Sequence, residues 1–200
     1  QAANFYTIFV GIESPRRDSL IETKKIQNTR RSMLEDIERI HSYHISVCAG
    51  MIVGFDSDDT QIFKEQYEYL QELGIPFTTC GTLMALPNTP LMKRLQSEGR
   101  MLDLEWSTMN GHGAADCNFV PKQMTLEELK TGYNWLIRSL YRYDSYGQRL
   151  VTLLERYQNR NPEHKRASLD VKFLSLLIKV LHYFLVTKDS ERRSFFVKTF

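Results

Sequence analysis

Apolar runs alternate with segments of helical periodicity three times within about the first hundred residues, and this alternation most constrains the fold. The predicted strands are residues 4–10, 45–53 and 75–86, and the predicted helices are residues 29–41, 60–73 and 90–98. The first run lacks polar alternation, which is typical of a parallel strand with both faces covered. Repeated βα units at this spacing predict a parallel sheet with right-handed crossovers.

Residues that commonly start or end helices support these boundaries. Thr60 is a candidate N-cap, and Gly74 lies where a C-terminal glycine in the left-handed conformation is common. Thr89 followed by Pro90 predicts another helix start, because proline is favoured at the first helical position. Gly99 is expected to end that helix. Three parallel strands do not close a barrel, so the sheet is either half of a (β/α) barrel or a small open sheet.

The composition changes after Arg100. Residues 101–123 are rich in Gly, Asn, Asp and Met, show no clear period and predict a connecting loop. Thr125 and Glu128 then form a capping-box pattern, which predicts a helix that continues through residue 141. Asp144 is a candidate cap for a second helix through residue 157.

The remaining residues complete the predicted organisation. A polar linker at 156–168 precedes a last helix from Leu169 to about Val186. We therefore predict an α/β part in residues 1–104, a connecting loop in residues 105–124 and an α-helical domain in residues 125–200.

The composition excludes several classes of protein. Hydrophobic residues make up 42% and charged residues 25%, which predicts a folded globular chain. The net charge of +2 gives no general basic excess, so we expect no nucleic-acid partner. Cys48, Cys80 and Cys117 lie 32 and 37 residues apart, which predicts neither a disulfide framework nor a metal site and favours a cytoplasmic location. The chain does not begin with Met, which suggests part of a longer protein.

Candidate site residues cluster where the three predicted strands end. Ligands of parallel α/β proteins bind at the carboxyl ends of strands, so polar residues and glycines there predict a site. The alternative for the polar residues is that they only cap turns, Asp58 and Asp59 above all. The candidates are Gly11, Glu13 and Ser14 after the first strand, Gly50, Ile52, Gly54, Phe55 and Asp56 around the end of the second, and Leu86 and Pro87 after the third.

These strand ends, in this order, resemble the second half of the radical S-adenosylmethionine core, specifically in its cobalamin-binding subfamily. The matching motifs are GIES at residues 11–14, GMIVG at 50–54 and ALPNTPL at 85–91. Further segments match at 22–29, 91–101, 118–133 and 138–150, so the resemblance covers residues 5 to about 158. Each motif is weak alone, whereas the ordered set is specific.

The resemblance implies a fold and a set of cofactors. The fold would be the carboxyl-terminal half of a partial (β/α)6 TIM-like barrel with parallel strands, followed by the helical domain. Glu13 and Ser14 would contact the ribose of S-adenosylmethionine, while Gly50, Ile52 and Gly54 would pack against its adenine. The other candidates would complete the cofactor-binding pocket. An iron–sulfur cluster of the 4Fe–4S type and cobalamin are implied for the complete protein.

One departure from the family pattern limits what this chain does alone. The cluster of this family is bound by a CxxxCxxC loop, and this chain has no two cysteines closer than 32 residues. The resemblance therefore implies that an amino-terminal half of the same polypeptide supplies the cluster ligands, and that the isolated chain is inactive. Ser57 also stands where the family often has Glu. No catalytic or metal-binding residue is predicted here.

The leading hypothesis is that this chain is part of a radical S-adenosylmethionine, cobalamin-dependent enzyme that methylates an unreactive carbon of a small molecule or lipid. The alternative is a non-catalytic α/β-helical interaction module derived from that fold.

The last predicted helix also has two interpretations. It has one polar face within an otherwise apolar stretch, and the favoured interpretation is packing on the preceding helices. The second is peripheral membrane contact through residues 169–200. The residues of the polar face are Ser168, Lys172, Ser175, Lys179 and His182.

Overall fold

The computed structural model describes residues 5–29, 31–103, 117–158 and 171–199. The predicted connecting loop and the polar linker lie mostly outside these residues. The strands are β1 (Thr7–Glu13), β2 (Ser46–Val53) and β3 (Phe77–Thr82). The helices are α1 (Arg17–Glu22), α2 (Met33–His41), α3 (Ile62–Leu73), α4 (Pro90–Ser97), α5 (Leu126–Leu140), α6 (Tyr143–Gln158), α7 (Val171–Leu185) and α8 (Ser190–Thr199), with a 3-10 turn at Ile26–Thr29.

The three strands form one parallel sheet in the order β1-β2-β3, as the βα alternation predicted. Gly11 pairs with Gly50, and Gly50 pairs with Thr79. The predicted end of β1 at Gly11 was wrong, because the strand continues through an irregularity to Glu13. The third strand is shorter than predicted. After Thr82, the backbone of Ala85 binds the side chain of Asn118 instead of β2.

One face of the sheet carries the core. The side chains of Val47, Ala49, Met51 and Val53 on β2 are buried there. Buried residues of α2, α3 and α5 belong to the same cluster, among them Ile37, Leu70, Leu73, Leu129, Leu136 and Leu140. The predicted helical part therefore shares a core with the sheet.

The opposite face of the sheet is open in the described structure. Side chains alternate between the faces of a strand, so the register places one set of residues on this open face. Phe9 is 65% exposed there, and Phe77 on β3 is also exposed. The set consists of Phe9, Gly11, Cys48, Gly50, Ile52, Phe77, Thr79 and Gly81.

The outer edge of β3 is covered by two tyrosines of the helical part. The Tyr133 hydroxyl donates to the Cys80 carbonyl at 2.9 Å, and the Tyr141 hydroxyl donates to the Thr78 carbonyl at 2.5 Å. Nearby, the buried Arg149 of α6 donates to the Ile75 carbonyl just before the strand. These bonds fix the helices against the sheet.

Most predicted helix ends are confirmed. Gly74 ends α3 with a φ of 59°, and the Thr89 hydroxyl accepts a hydrogen bond from the Met92 N–H at the start of α4. The capping box of Thr125 and Glu128 is present at α5.

Two predicted caps were wrong. Gln61 rather than Thr60 precedes α3, and its N–H is bound by the Asp59 carboxylate. Asp144 lies inside the first turn of α6, where its carboxylate accepts the N–H of Ser145.

The carboxyl-terminal region contains one helix more than predicted. α7 corresponds to the predicted last helix, but α8 follows it. The apolar residues Phe195, Phe196 and Val197 of α8 are consecutive, so they give no helical period. Among the residues described, no helix is both long and apolar enough to cross a bilayer.

Candidate functional site

The site begins at the end of β1, where the backbone leaves regular strand geometry. The register shifts between Gly11 and Glu13, and Glu13 has a φ of 71°, which is uncommon for a residue with a side chain. The amide of Asn28 donates to the carbonyls of Gly11 at 3.0 Å and Ile12 at 3.2 Å. Asn28 therefore holds the strand end in the shape that orients Glu13.

A lysine fixes the Glu13 carboxylate over the open face. Lys25 Nζ lies 2.9 Å from Glu13 Oε1. A β-carbon placed on Gly11 would lie 2.6 Å from the same oxygen, so a side chain at position 11 would displace the carboxylate from this position. Glu13 is thus an oriented acceptor beside Gly11 on the open face.

Ser14 points elsewhere, although it is adjacent in sequence. It is buried, and its hydroxyl accepts a hydrogen bond from the Arg16 N–H at 3.2 Å. With Ile12 and Leu20 it lines a separate cavity of about 150 Å³. The structure therefore does not place Ser14 beside the Glu13 carboxylate.

Gly50 and Ile52 share the open face with Gly11. A β-carbon on Gly50 would lie 2.7 Å from the ring of Phe9, so this ring covers the glycine. Nothing lies within 4 Å of the position where a β-carbon of Gly81 would be. The glycines leave a low surface that suits a flat ring or another backbone.

The turn after β2 is built around Asp58. Its carboxylate accepts the N–H groups of Gly54 at 2.9 Å and Phe55 at 3.0 Å, and the Ser19 hydroxyl at 2.9 Å. Burial raises the pKa of Asp58 despite these bonds. The interpretation of Asp58 as a cap is confirmed. Gly54 needs its flexibility because its φ is 100°.

The two side chains after Gly54 have different surroundings. Phe55 is fully buried. Asp56 binds Arg94, and its other oxygen lies 2.7 Å from Arg100. Burial alone would raise the pKa of Asp56, but the hydrogen bonds from both guanidinium groups outweigh burial and lower it.

The arginines also bind a second carboxylate. Arg94 lies 3.2 Å from Glu22 at the end of α1. Burial, together with the charge of Asp56, raises the pKa of Glu22. This cluster of Glu22, Asp56, Arg94 and Arg100 joins α1, the β2–α3 turn and α4. The cluster was not predicted, because its members are widely separated in sequence.

Leu86 and Pro87 are both exposed at the start of the loop before α4. The Leu86 carbonyl accepts a hydrogen bond from the Thr89 hydroxyl at 2.6 Å, which connects it to the α4 N-cap. Their predicted position on a pocket rim is consistent with this exposure but stays a prediction.

The structure therefore brings Gly11, Glu13, Gly50 and Ile52 together on one face. Sequence reasoning missed Lys25 and Asn28, which orient Glu13. Both lie in the segment 22–29 that matches the family, but the sequence indicates no role for either side chain. The site offers a carboxylate that can accept hydrogen bonds from hydroxyl groups, beside a glycine-lined surface that can contact a flat ring.

The donor set does not fit an iron–sulfur cluster. No group of three His, Cys, Asp or Glu side chains within the described ranges could hold a metal ion. Burial raises the pKa of Cys48 and of Cys117, and it raises that of Cys80 to about 11. A 4Fe–4S cluster is held by a set of cysteine thiolates, and the residues described offer no such group of ligands.

A cavity of about 570 Å³ lies apart from the sheet, between α6 and α8. It is lined by residues such as Tyr143, Gly147 and Phe195 and by none of the candidate site residues.

Comparisons with known proteins identify relatives of this chain. The profile of a domain of unknown function, DUF4070, matches residues 89–200. An uncharacterized methyltransferase of Synechocystis sp. is 36% identical over 137 residues, which are 68% of this chain and 25% of that protein. The hopanoid C-2 methylase of Rhodopseudomonas palustris is 41% identical over 100 residues, 50% of this chain and 19% of that protein. The matched segments thus span about a quarter or less of these relatives.

Proposed function

Because the chain belongs to the DUF4070 family of cobalamin-binding radical S-adenosylmethionine proteins, as its motifs predicted, we propose that its open sheet face binds the adenosyl group of S-adenosylmethionine. In this proposal the chain is part of an enzyme that methylates an unreactive carbon. Both relatives described above are named as methylating enzymes, which supports the reaction class.

The observation that carries the proposal is the Glu13 carboxylate, which is fixed beside the glycine surface by Lys25 and Asn28. A ribose has two neighbouring hydroxyl groups, and a carboxylate is a strong acceptor for both. Since Asn28 and Lys25 orient Glu13 in advance, little side-chain freedom is lost when the ligand binds.

The adenine ring would lie against the flat part of the same face. Gly50 and Ile52 are the residues we assign to this contact, with Gly54 at the end of the strand. The exposed Phe9 ring, which covers Gly50, would move aside or stack on the adenine. In this proposal Ser14, Phe55 and Asp56 shape the turns that support the site, and Leu86 and Pro87 form its rim.

The remaining cofactors would come from another part of the polypeptide. S-adenosylmethionine supplies the methyl group and, when cleaved by a reduced cluster, a radical. We propose that this chain is the second half of a partial (β/α)6 barrel within residues 1–104, and that an amino-terminal half holds the cluster and cobalamin. The substrate class we favour is a lipid, since one relative is named a hopanoid methylase.

A binding measurement on the intact protein tests the proposal. A hydrogen bond to a charged group contributes about 1.5–3 kcal/mol, so Glu13→Ala should weaken S-adenosylmethionine affinity about ten-fold or more in calorimetric titration. Glu68→Ala, which removes an exposed carboxylate on α3, should leave the affinity unchanged. Equal affinity of both variants and the unmutated protein would reject the role of Glu13. No binding by the unmutated protein would favour the non-catalytic module.

A further inference from the structure

The two last helices are stacked in layers against α6. Phe195 of α8 lies 5.5 Å from the ring of Tyr143 and 6.1 Å from that of Tyr146, both on α6. Phe184 of α7 lies 5.5 Å from Phe195 and 5.4 Å from Phe196. Phe184 of α7 therefore packs against α8.

The side of α7 opposite Phe184 carries branched apolar residues. Ile178, Leu185 and Val186 recur at helical spacing and so lie on one face, next to the polar residues Lys179 and His182. Ile178 is 59% exposed and Val186 is 67% exposed. On α8, Val197 is 73% exposed. We call Ile178, Leu185 and Val186, together with the exposed cations of residues 171–199, the hairpin surface.

The charge of this region differs from that of the rest of the chain. Residues 171–199 contain six Lys or Arg and two Asp or Glu, a net charge of +4, while the whole chain has +2. The remaining residues are therefore slightly acidic. Lys179, Lys188, Arg193 and Lys198 are all exposed. The hairpin surface thus combines apolar side chains with positive charge.

We propose that the hairpin surface docks on the anionic surface of a lipid bilayer. An amphipathic helix with Lys and Arg around its apolar face can lie in the headgroup region. Each Lys or Arg near an anionic membrane adds attraction, whereas Lys is depleted in protein–protein interfaces. The exposed lysines therefore favour a membrane over a protein partner. As described, α7 has 15 residues, fewer than the about 20 that span a bilayer, so in this proposal it lies on the membrane surface.

Co-sedimentation of the intact protein with vesicles tests this proposal. Vesicles of phosphatidylcholine with about a third phosphatidylglycerol should bind the protein at least ten-fold more tightly than phosphatidylcholine alone, and added salt should reduce the difference. This assay needs no S-adenosylmethionine, so its result is independent of the proposed function.

Matched variants distinguish binding through the hairpin surface from nonspecific adsorption to the vesicles. Ile178→Ser with Val186→Ser should weaken binding to the anionic vesicles about ten-fold or more. Ile21→Ser with Val120→Ser removes exposed apolar residues elsewhere and should have no effect.

A second pair of variants tests the positive charge. Lys179→Gln with Arg193→Gln should weaken binding about ten-fold, while Lys64→Gln with Lys122→Gln should not. Circular dichroism checks that every variant is folded. The proposal would be overturned if the protein did not bind anionic vesicles. It would also be overturned if a hairpin-surface variant and its control variant lost vesicle affinity equally.

Discussion

At the scale of single residues, the fold requires glycine at position 54 but not at position 81. Gly54 has a φ of 100°, while a β-carbon there would make only ordinary contact with Leu129, at 3.6 Å. Gly54→Ala should therefore destabilise the fold through backbone strain, by about 1–3 kcal/mol. Gly81→Ala meets no neighbour within 4 Å and should be neutral or stabilising by about 0.5 kcal/mol. Urea denaturation measures both, and similar losses in the two variants would contradict this explanation.

The candidate site shows which residue positions a sequence can indicate. Glu13 was predictable because it follows an apolar run. The separation of Glu13 from Ser14 was not, because it depends on the irregularity between Gly11 and Glu13 and on the turn that follows the strand. The contacts of Lys25 and Asn28 with the strand end depend on the path of the chain after α1, which has no periodic signal.

At the scale of elements, the cluster around Asp56 joins α1, the β2–α3 turn and α4. Asp56→Ala leaves the half-buried Arg100 without its main partner, so it should destabilise the protein by about 1–3 kcal/mol. The exposed Asp103→Ala serves as control and should change little. The loss should be smaller at acidic pH, because the lowered pKa of Asp56 makes its contribution present near neutrality and lost as the pH falls through that pKa. A loss that is constant with pH, measured by urea denaturation, would refute the ionic explanation.

The helices and strands were predictable where the hydrophobic period and a capping residue indicated the same boundary. Thr125 with Glu128 and Thr89 with Pro90 mark helix starts that the structure confirms. α8 was missed because its aromatic residues are consecutive and its helix depends on packing of Phe195 against α6. Local propensity gives no signal for contacts of that kind.

At the scale of the whole molecule, His41, the last residue of α2, contacts Tyr157 of α6. It is fully buried, neither ring nitrogen has a hydrogen-bond partner among the residues described, and its ring lies 6.3 Å from that of Tyr157. Burial, reinforced by the charge of Arg156, lowers the pKa of His41 to about 4.

The buried His41 predicts acid sensitivity of the fold. The unfolded chain takes up this proton near pH 6.5, while the folded chain resists it to about pH 4, so stability should fall as the pH decreases through this range. Between pH 7.5 and 5, His41 should account for a loss of about 1–2 kcal/mol in urea denaturation. His41→Leu should reduce the pH dependence by that amount, and the exposed His182→Leu should not. An unchanged slope in His41→Leu would show that other groups cause the sensitivity.

The hydrogen bonds of Tyr133 and Tyr141 to the edge of β3 determine where further strands can join this sheet. A bare strand edge pairs readily with any extended chain and is a common start of aggregation. Because Tyr133 and Tyr141 occupy carbonyls along β3, that side is closed to intruding strands. In the part of the chain that the structure describes, β1 has a strand on one side only. Further strands can therefore join in a single direction, from the β1 side, which prevents two copies of the chain from pairing through β3.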